Sequence, residues 1–296
     1  MTVFPFIEAE KVAEHNVARA CALLKVSRSA YYEHRKDVPS SREAEDLELA
    51  ARILKIHQDS KGRYGVPRVH AALKRQGRRH SRKRVARLMN ELELRGKAPK
   101  RWKKTTIADP AAPARLDLVG RDFSVDEVKI NSRWCGDITY TPTWEGWLYL
   151  ATVIDIASRR VVGFAMADHL RTELISDALT NALATRDPAP GVVFHSDRGC
   201  QYTSRDFAQL ARDHQVHLSL GRTGQCWDNA LAESFFASLK GECIDTRTWA
   251  TRASARSAIV EYIGWFNGSR LHSSLGYLTP NEYEAATGLQ TLEAVA

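Results

Sequence analysis

No stretch of about 18 consecutive apolar residues occurs in the 296-residue sequence, which rules out a membrane-spanning helix. The N-terminus, MTVFPFIEAEKVAEH, lacks the uninterrupted apolar region of a secretory signal, because Glu8, Glu10 and Glu14 break it. Cysteine is scarce: Cys21, Cys135, Cys200, Cys226 and Cys243 are five, an odd number, with no CxxC pair. That set argues against a disulfide framework and a structural zinc site, and fits a reducing cytoplasm. No internal repeat is visible. What remains is a core-forming composition, 44% hydrophobic and 26% charged, in a chain sized for one large domain or two to three modules.

Acidic residues are also scarce in one half of the chain. Residues 1–115 hold 27 Lys and Arg against 13 Asp and Glu, whereas the remainder holds 16 against 22. The net charge of +8 therefore conceals a +14 head and a −6 body. Residues 60–104 carry 17 basic side chains and only Glu91 and Glu93 as acids. Such a segment needs a polyanion or full solvation, and nucleic acid is the commonest such partner. A basic surface that merely keeps the chain soluble is the competing reading. The interleaving of these charges with a helical pattern favours nucleic acid.

The first 40 residues read as a helix over 7–25, a break at Val26-Ser27, and a short second helix capped by Ser27. That outline resembles a helix-turn-helix, with Arg28, Ser29 and Tyr32 on the presented face. Residues 41–95 read as a basic three-helix module. Ser40 and Glu43 form a capping box for a helix through Leu47, Ala50, Ala51 and Leu54. Pro67 opens the next helix and Gly77 ends it. Ser81 caps a third helix, in which Val85, Leu88, Met89 and Leu92 make an amphipathic stripe. Its outer face shows Arg82, Lys83, Arg84 and Arg87, candidate DNA contacts or a solvated basic face. Residues 96–125 lose periodicity and read as a Pro-containing linker, whose Lys100, Arg101, Lys103 and Lys104 would follow phosphates. Trp102 there stacks on a base or plugs the next domain.

From residue 126 to 290 the pattern becomes an α/β domain with a mixed sheet. Strands are predicted at 134–141, 148–156, 161–167, 192–196 and 217–220, with helices between and after the later ones. Asp137 stands mid-strand, where Asp is disfavoured, and Asp197 ends the strand VVFHS at a carboxyl edge, where α/β ligand sites gather. Glu233 lies one turn into a long helix, on the same face as Asn229 and Lys240. Magnesium or manganese takes hard oxygen ligands, and two such ions can clamp the attacking and leaving oxygens of a phosphodiester. Singly, each acid also reads as an edge charge, a cap or an exposed helical Glu. Asp155, ending a strand, and Asp228, a helix cap, compete for the role.

In order, the segments FSVDEVKINSRWCGDITYTPTWEGWLYLATVIDIASRRVVGF, HSDRGCQYTS and DNALAESFFASLKGE resemble the DDE transposase core of the insertion-sequence family three, second reading frame. Upstream SKGRYGVPRVHAALKRQGRRHSRKRVARLM and downstream YIGWFNGSRLHSSLGYLTPNEYE extend the resemblance over nearly the whole chain. Asp197 and Glu233 are separated by 35 residues, the spacing of this subgroup. The resemblance implies an RNase H-like, retroviral integrase-type five-stranded sheet with flanking helices, preceded by all-α helix-turn-helix modules. It implies that Asp137, Asp197 and Glu233 are catalytic and bind two Mg2+ or Mn2+ ions, and that Lys240 holds DNA near the scissile phosphate. His195, Gln201 and Asn229 would orient ligands or DNA from beside the triad.

The implied activity is DNA transposition, by hydrolysis of a phosphodiester at the element end and strand transfer of the freed 3′ hydroxyl. Double-stranded DNA, as terminal repeats and target, would be the partner of a homo-oligomer. Members are typically fused to an upstream frame that supplies a zipper absent here, so that upstream-frame protein is a further expected partner. A non-catalytic DNA-binding regulator and a structure-specific nuclease on the same fold are the alternatives. The zinc-binding His/Cys module of retroviral integrases is not expected, since His15, Cys21 and His34 lack ligand spacing.

Overall fold

The computed structural model describes residues 3–35, 40–98, 129–197, 199–220 and 230–295. Lys100, Arg101, Trp102, Lys103, Lys104, Trp227, Asp228 and Asn229 lie outside the described residues.

The N-terminal unit has three short helices, α1 (Phe4–Val12), α2 (Val17–Leu23) and α3 (Arg28–Arg35). The single helix expected over 7–25 is thus two. Glu14 takes a left-handed φ of 61°, and the Asn16 side chain accepts from the N–H groups of Ala18 (2.9 Å) and Arg19 (3.2 Å) to start α2 afresh. Ile7, Cys21 and Tyr31 are buried together, while Arg28, Ser29 and Tyr32 face solvent.

Helices α4 (Ser41–Asp59), α5 (Val66–Arg75) and α6 (Arg82–Glu91) make the basic module. The Ser40–Glu43 capping box forms in both directions, Pro67 sits in the first turn of α5, and Ser81 caps α6. Val85, Leu88 and Met89 are buried as their spacing predicts. The inner face of α4 is Leu49, Ile53 and Ile56, not the expected Leu47 and Leu54, which are 66% and 36% exposed. Both stripes have helical spacing, and the partner surface of α5 and α6 selects one of them. This core is completed from outside the module: Leu271 joins it, with Trp265 and Tyr277 packed against it.

Five strands form one sheet: β1 (Arg133–Thr143), β2 (Gly146–Asp155), β3 (Val161–Ala167), β4 (Val193–Ser196) and β5 (His217–Leu220). Their order is β3-β2-β1-β4-β5, with β1–β2 and β2–β3 antiparallel and β1–β4 and β4–β5 parallel. One face packs on α7 (Thr172–Arg186) and α8 (Arg205–Asp213) through Trp134, Val153, Leu179, Phe194 and Phe207. The other packs on α9 (Ala230–Glu242) and α10 (Arg252–Gly268) through Cys135, Ile154, Phe235, Leu239 and Phe266. A last helix, α11 (Pro280–Val295), is tied to the sheet by Glu284, which accepts from Arg186, Arg160 and Ser158.

Candidate active site

The central strand β1 puts Asp137 directly opposite Thr152 of β2. Gly136 before it serves the packing beneath: a Cβ there would lie 2.2 Å from the ζ carbon of Phe194, so only glycine lets that ring lie under the strand. Phe194 in turn stacks with Tyr202 and Phe207 at centroid distances of 6.0 and 5.6 Å. Asp197 follows β4 immediately, the strand hydrogen-bonded to β1, so chain topology brings the two aspartates to neighbouring positions. Its Oδ1 accepts from the N–H of Gly199 at 3.0 Å. That turn is close, since a Cβ on Gly199 would sit 3.1 Å from the same Asp197 oxygen. Glu233 comes from the first turn of α9, which packs across β1.

The charges of Asp197, Glu233 and Lys240 all act on Asp137. Burial, then the negative charge of Asp197, pushes the Asp137 carboxyl up to about 7, and Glu233 adds to the effect. The N–H of Ile138, donating at 2.8 Å, and the Lys240 ammonium act in the opposite direction. Partial burial raises Glu233 as well. Among the described residues no three His, Cys, Asp or Glu side chains stand close enough to hold one ion. The acids are therefore a shared charge cluster with Glu233 exposed at its rim, not a closed cage.

The flanking residues divide by role. His195 is buried, with Nδ1 hydrogen-bonded to Ser219 Oγ at 2.9 Å, and pairs in register with Cys135 and Ser219. It therefore braces the sheet beneath Asp197. Gln201 donates from Nε2 to the Leu170 carbonyl at 3.2 Å, fixing the loop that follows Asp197. Asp155, the competing acid, is structural: it accepts from Ser158 and from the N–H of Asn131 at 2.7 Å. Sequence reasoning missed Tyr202, whose hydroxyl is held un-ionised by burial and by the charges of Asp137 and Asp197. Its only sequence signal was its place five residues after Asp197, inside the loop already singled out.

The basic residues of the helical module are not equivalent. Arg84 meets Asp46 at 2.6 Å and Glu45 at 3.2 Å, and Arg87 meets Glu91 at 2.7 Å and also Asp46. Arg82 and Lys83, at the start of α6, are exposed. Lys240 lies within α9 with its Nζ 5.2 Å from the Tyr140 ring centroid.

Comparisons with known proteins follow this geometry. The Integrase core domain family matches residues 127–226, a second Integrase core domain family matches 214–280, and an HTH-like domain matches 43–102. The transposase InsF for insertion sequence IS3A of Escherichia coli is 37% identical over 284 residues, covering 95% of this chain and 98% of that protein. A putative transposase for insertion sequence element IS986/IS6110 of Mycobacterium tuberculosis is 36% identical, covering 89% and 96%. Among solved structures, the HTLV-2 integrase catalytic core domain in complex with magnesium aligns with 52% of this chain and 95% of its own, at 15% identity and a TM-score of 0.39. The five-stranded mixed sheet with its flanking helices is the RNase H-like architecture of the integrase core. The chain belongs to the insertion-sequence three family of transposases.

Proposed function

We propose that Asp137, Asp197 and Glu233 are the catalytic acids of a DDE-type phosphoryl transfer that cuts the DNA at the element end and joins it to a target. The observation that carries this reading is the placement of the three acids on β1, after β4 and in the first turn of α9, where burial first and then the charges of Asp197 and Glu233 push the Asp137 carboxyl up to about 7. Like charges gathered in a half-buried site repel one another, and a divalent cation relieves that repulsion. The donor set fits such an ion: carboxylate oxygens suit magnesium or manganese, which commonly take one or two carboxylates and complete their shells with water and phosphate. Asp137 and Asp197 would hold the first ion, and Glu233 would contribute to a second. When bound, these ions supply charge stabilisation at the scissile phosphate.

Lys240 would bind a phosphate oxygen and hold the strand against the acids. Hydrolysis breaks the bond between phosphorus and the 3′ oxygen, leaving a 3′ hydroxyl. That hydroxyl then forms a bond to phosphorus in the target strand and displaces the next 3′ oxygen, with no covalent bond to the protein. Arg82 and Lys83, together with Arg28, Lys100, Arg101, Lys103 and Lys104, would neutralise backbone phosphates of terminal-repeat and target DNA. Arg84 and Arg87 would reach phosphate only by giving up acidic partners. A homo-oligomer on DNA, with or without the upstream-frame protein, would bring two ends together.

The test is manganese binding by calorimetry in the presence of end DNA, wild type beside Asp197→Asn. Binding in the wild type and its loss in the variant support the reading. Equal binding in both would contradict it.

A further inference from the structure

Three large aromatic side chains lie in solvent on the β1–β2 hairpin that carries Asp137. Tyr140 is 52% exposed, Trp147 48% and Trp144 79%. None of them belongs to a core cluster among the described residues. Tyr140 and Trp147 meet edge to face across the hairpin, with ring centroids 4.8 Å apart at 83°. Lys240, from the helix that supplies Glu233, places its ammonium over the Tyr140 ring.

The backbone beneath these rings is fixed. Thr143 Oγ1 donates to the Gly146 carbonyl at 2.6 Å, and the N–H of Trp144 to the Trp249 carbonyl at 3.0 Å. Arg252 clamps the tip: its N–H donates to Glu145 at 2.8 Å and its Nε to the Trp147 carbonyl at 3.0 Å. Gly146, at φ 105°, admits that clamp, because a Cβ there would lie 2.9 Å from the Arg252 guanidinium. The rings are thus exposed yet held in place, as a stacking surface requires.

We propose that Tyr140 and Trp147 form an aromatic patch on which unpaired DNA bases stack near the acidic cluster, with Lys240, over the Tyr140 ring, supplying the positive charge for the strand's phosphates. The proposal rests on the active-site reading above and identifies which part of the DNA the site holds. Base stacking on aromatic rings next to a cation is the general mode of single-strand binding, and it tolerates any base. Tyr140 lies three residues beyond Asp137 on β1 and so on the opposite face of the sheet, and Lys240 links the two, its ammonium over the Tyr140 ring and its charge acting on the Asp137 carboxyl. Base faces become available only where pairs are open, so the ligand is the few unpaired nucleotides next to the cut. Acids alone would repel that strand; the rings and Lys240 supply the attraction.

The test compares two end duplexes, one fully paired and one with three terminal pairs opened by mismatch, binding the full-length chain by fluorescence anisotropy. The wild type should prefer the opened end by about five- to 150-fold for one stacked base. Tyr140→Leu with Trp147→Leu should abolish the preference and leave paired binding within about twofold, whereas Tyr140→Phe with Trp147→Phe should keep it. Should the leucine variant misfold, quenching of tryptophan fluorescence by the opened end should still occur in the wild type and fall in Trp147→Phe. Three results would overturn the proposal: no preference in the wild type, a preference kept in the leucine variant, or a shift from dimer to monomer on sedimentation with the preference intact. The last would make the patch an interface between copies. Asp137→Asn separates the two readings, since cleavage retained in that variant removes the active-site reading but does not touch the stacking measurement.

Discussion

Arg63 donates from Nε to the backbone carbonyl of Glu242 at 3.3 Å, joining the basic helical module to the last turn of the helix that carries Glu233 and Lys240. The Glu242 carboxylate is buried and takes Arg270 at 2.7 and 3.0 Å and the Tyr262 hydroxyl at 2.9 Å. The Tyr64 hydroxyl donates to the Ser269 carbonyl and accepts from the N–H of Leu271. Arg63 also lies 4.3 Å from the Trp265 ring centroid. The module therefore docks on the end of α9 and on the C-terminal part of α10 and the segment after it by largely buried polar contacts.

Removing Glu242 should be costly, because Arg270 would stay buried without its counter-charge. Glu242→Ala is expected to lose about 3–5 kcal/mol of stability, measured by urea unfolding. Arg63→Ala should be milder in stability and should lower cleavage more than DNA affinity, because it loosens the module from α9 without touching the DNA face. Equal losses in both would contradict that coupling.

Gly136→Ala should force Phe194 to move, since the added methyl cannot sit 2.2 Å from its ring. Overpacking of this kind costs about 1–3 kcal/mol, and displacing Asp137 should weaken manganese binding with it. Phe194→Leu in the same chain should recover part of both, read by thermal unfolding and calorimetry.

Asp137 sets a pH dependence in the metal-free protein. Its folded-state value, about 7, lies above the ordinary 3.8. Between these values the folded state keeps a proton that the unfolded state has lost, so stability falls as pH rises. The slope is at most on the order of 1.36 kcal/mol per pH unit. Above about pH 7 the penalty is complete and constant. The Tm advantage of Asp137→Asn over the wild type should therefore grow from about pH 4 to pH 7 and then level. A difference that shrinks over that window would contradict the assignment.

Arg82→Ala and Lys83→Ala should each weaken DNA binding across sequences and reduce the salt slope by about 1. Arg84→Ala should instead lower Tm, since Asp46 loses its 2.6 Å partner. A salt titration beside a melting curve separates the two classes.

Local signals in the chain were legible early. Ser40 and Ser81 cap their helices as the sequence predicts, and the five strands fall within a residue or two of their apolar runs. Asp137 stood out as an acid in mid-strand, Asp197 as the acid ending a strand at the carboxyl edge and Glu233 by its helix face, and the family resemblance joined them into one set. Long-range choices were not legible. Leu49 or Leu47 as the inner stripe of α4 depends on where α5 and α6 dock. The Arg63–Glu242 contact spans 179 residues, and no local pattern marks either partner. The packing of Tyr202 on Phe194, whose ring Gly136 admits beneath β1, likewise has no local signal.

The most direct measurement is DNA end cleavage and strand transfer with magnesium, for the wild type and for Asp137→Asn, Asp197→Asn and Glu233→Gln, each alongside a DNA-binding assay. The account predicts that every variant binds end DNA and that none cuts or joins it. Cleavage at wild-type rate in any of the three would contradict the assignment of that acid, and in all three the site itself.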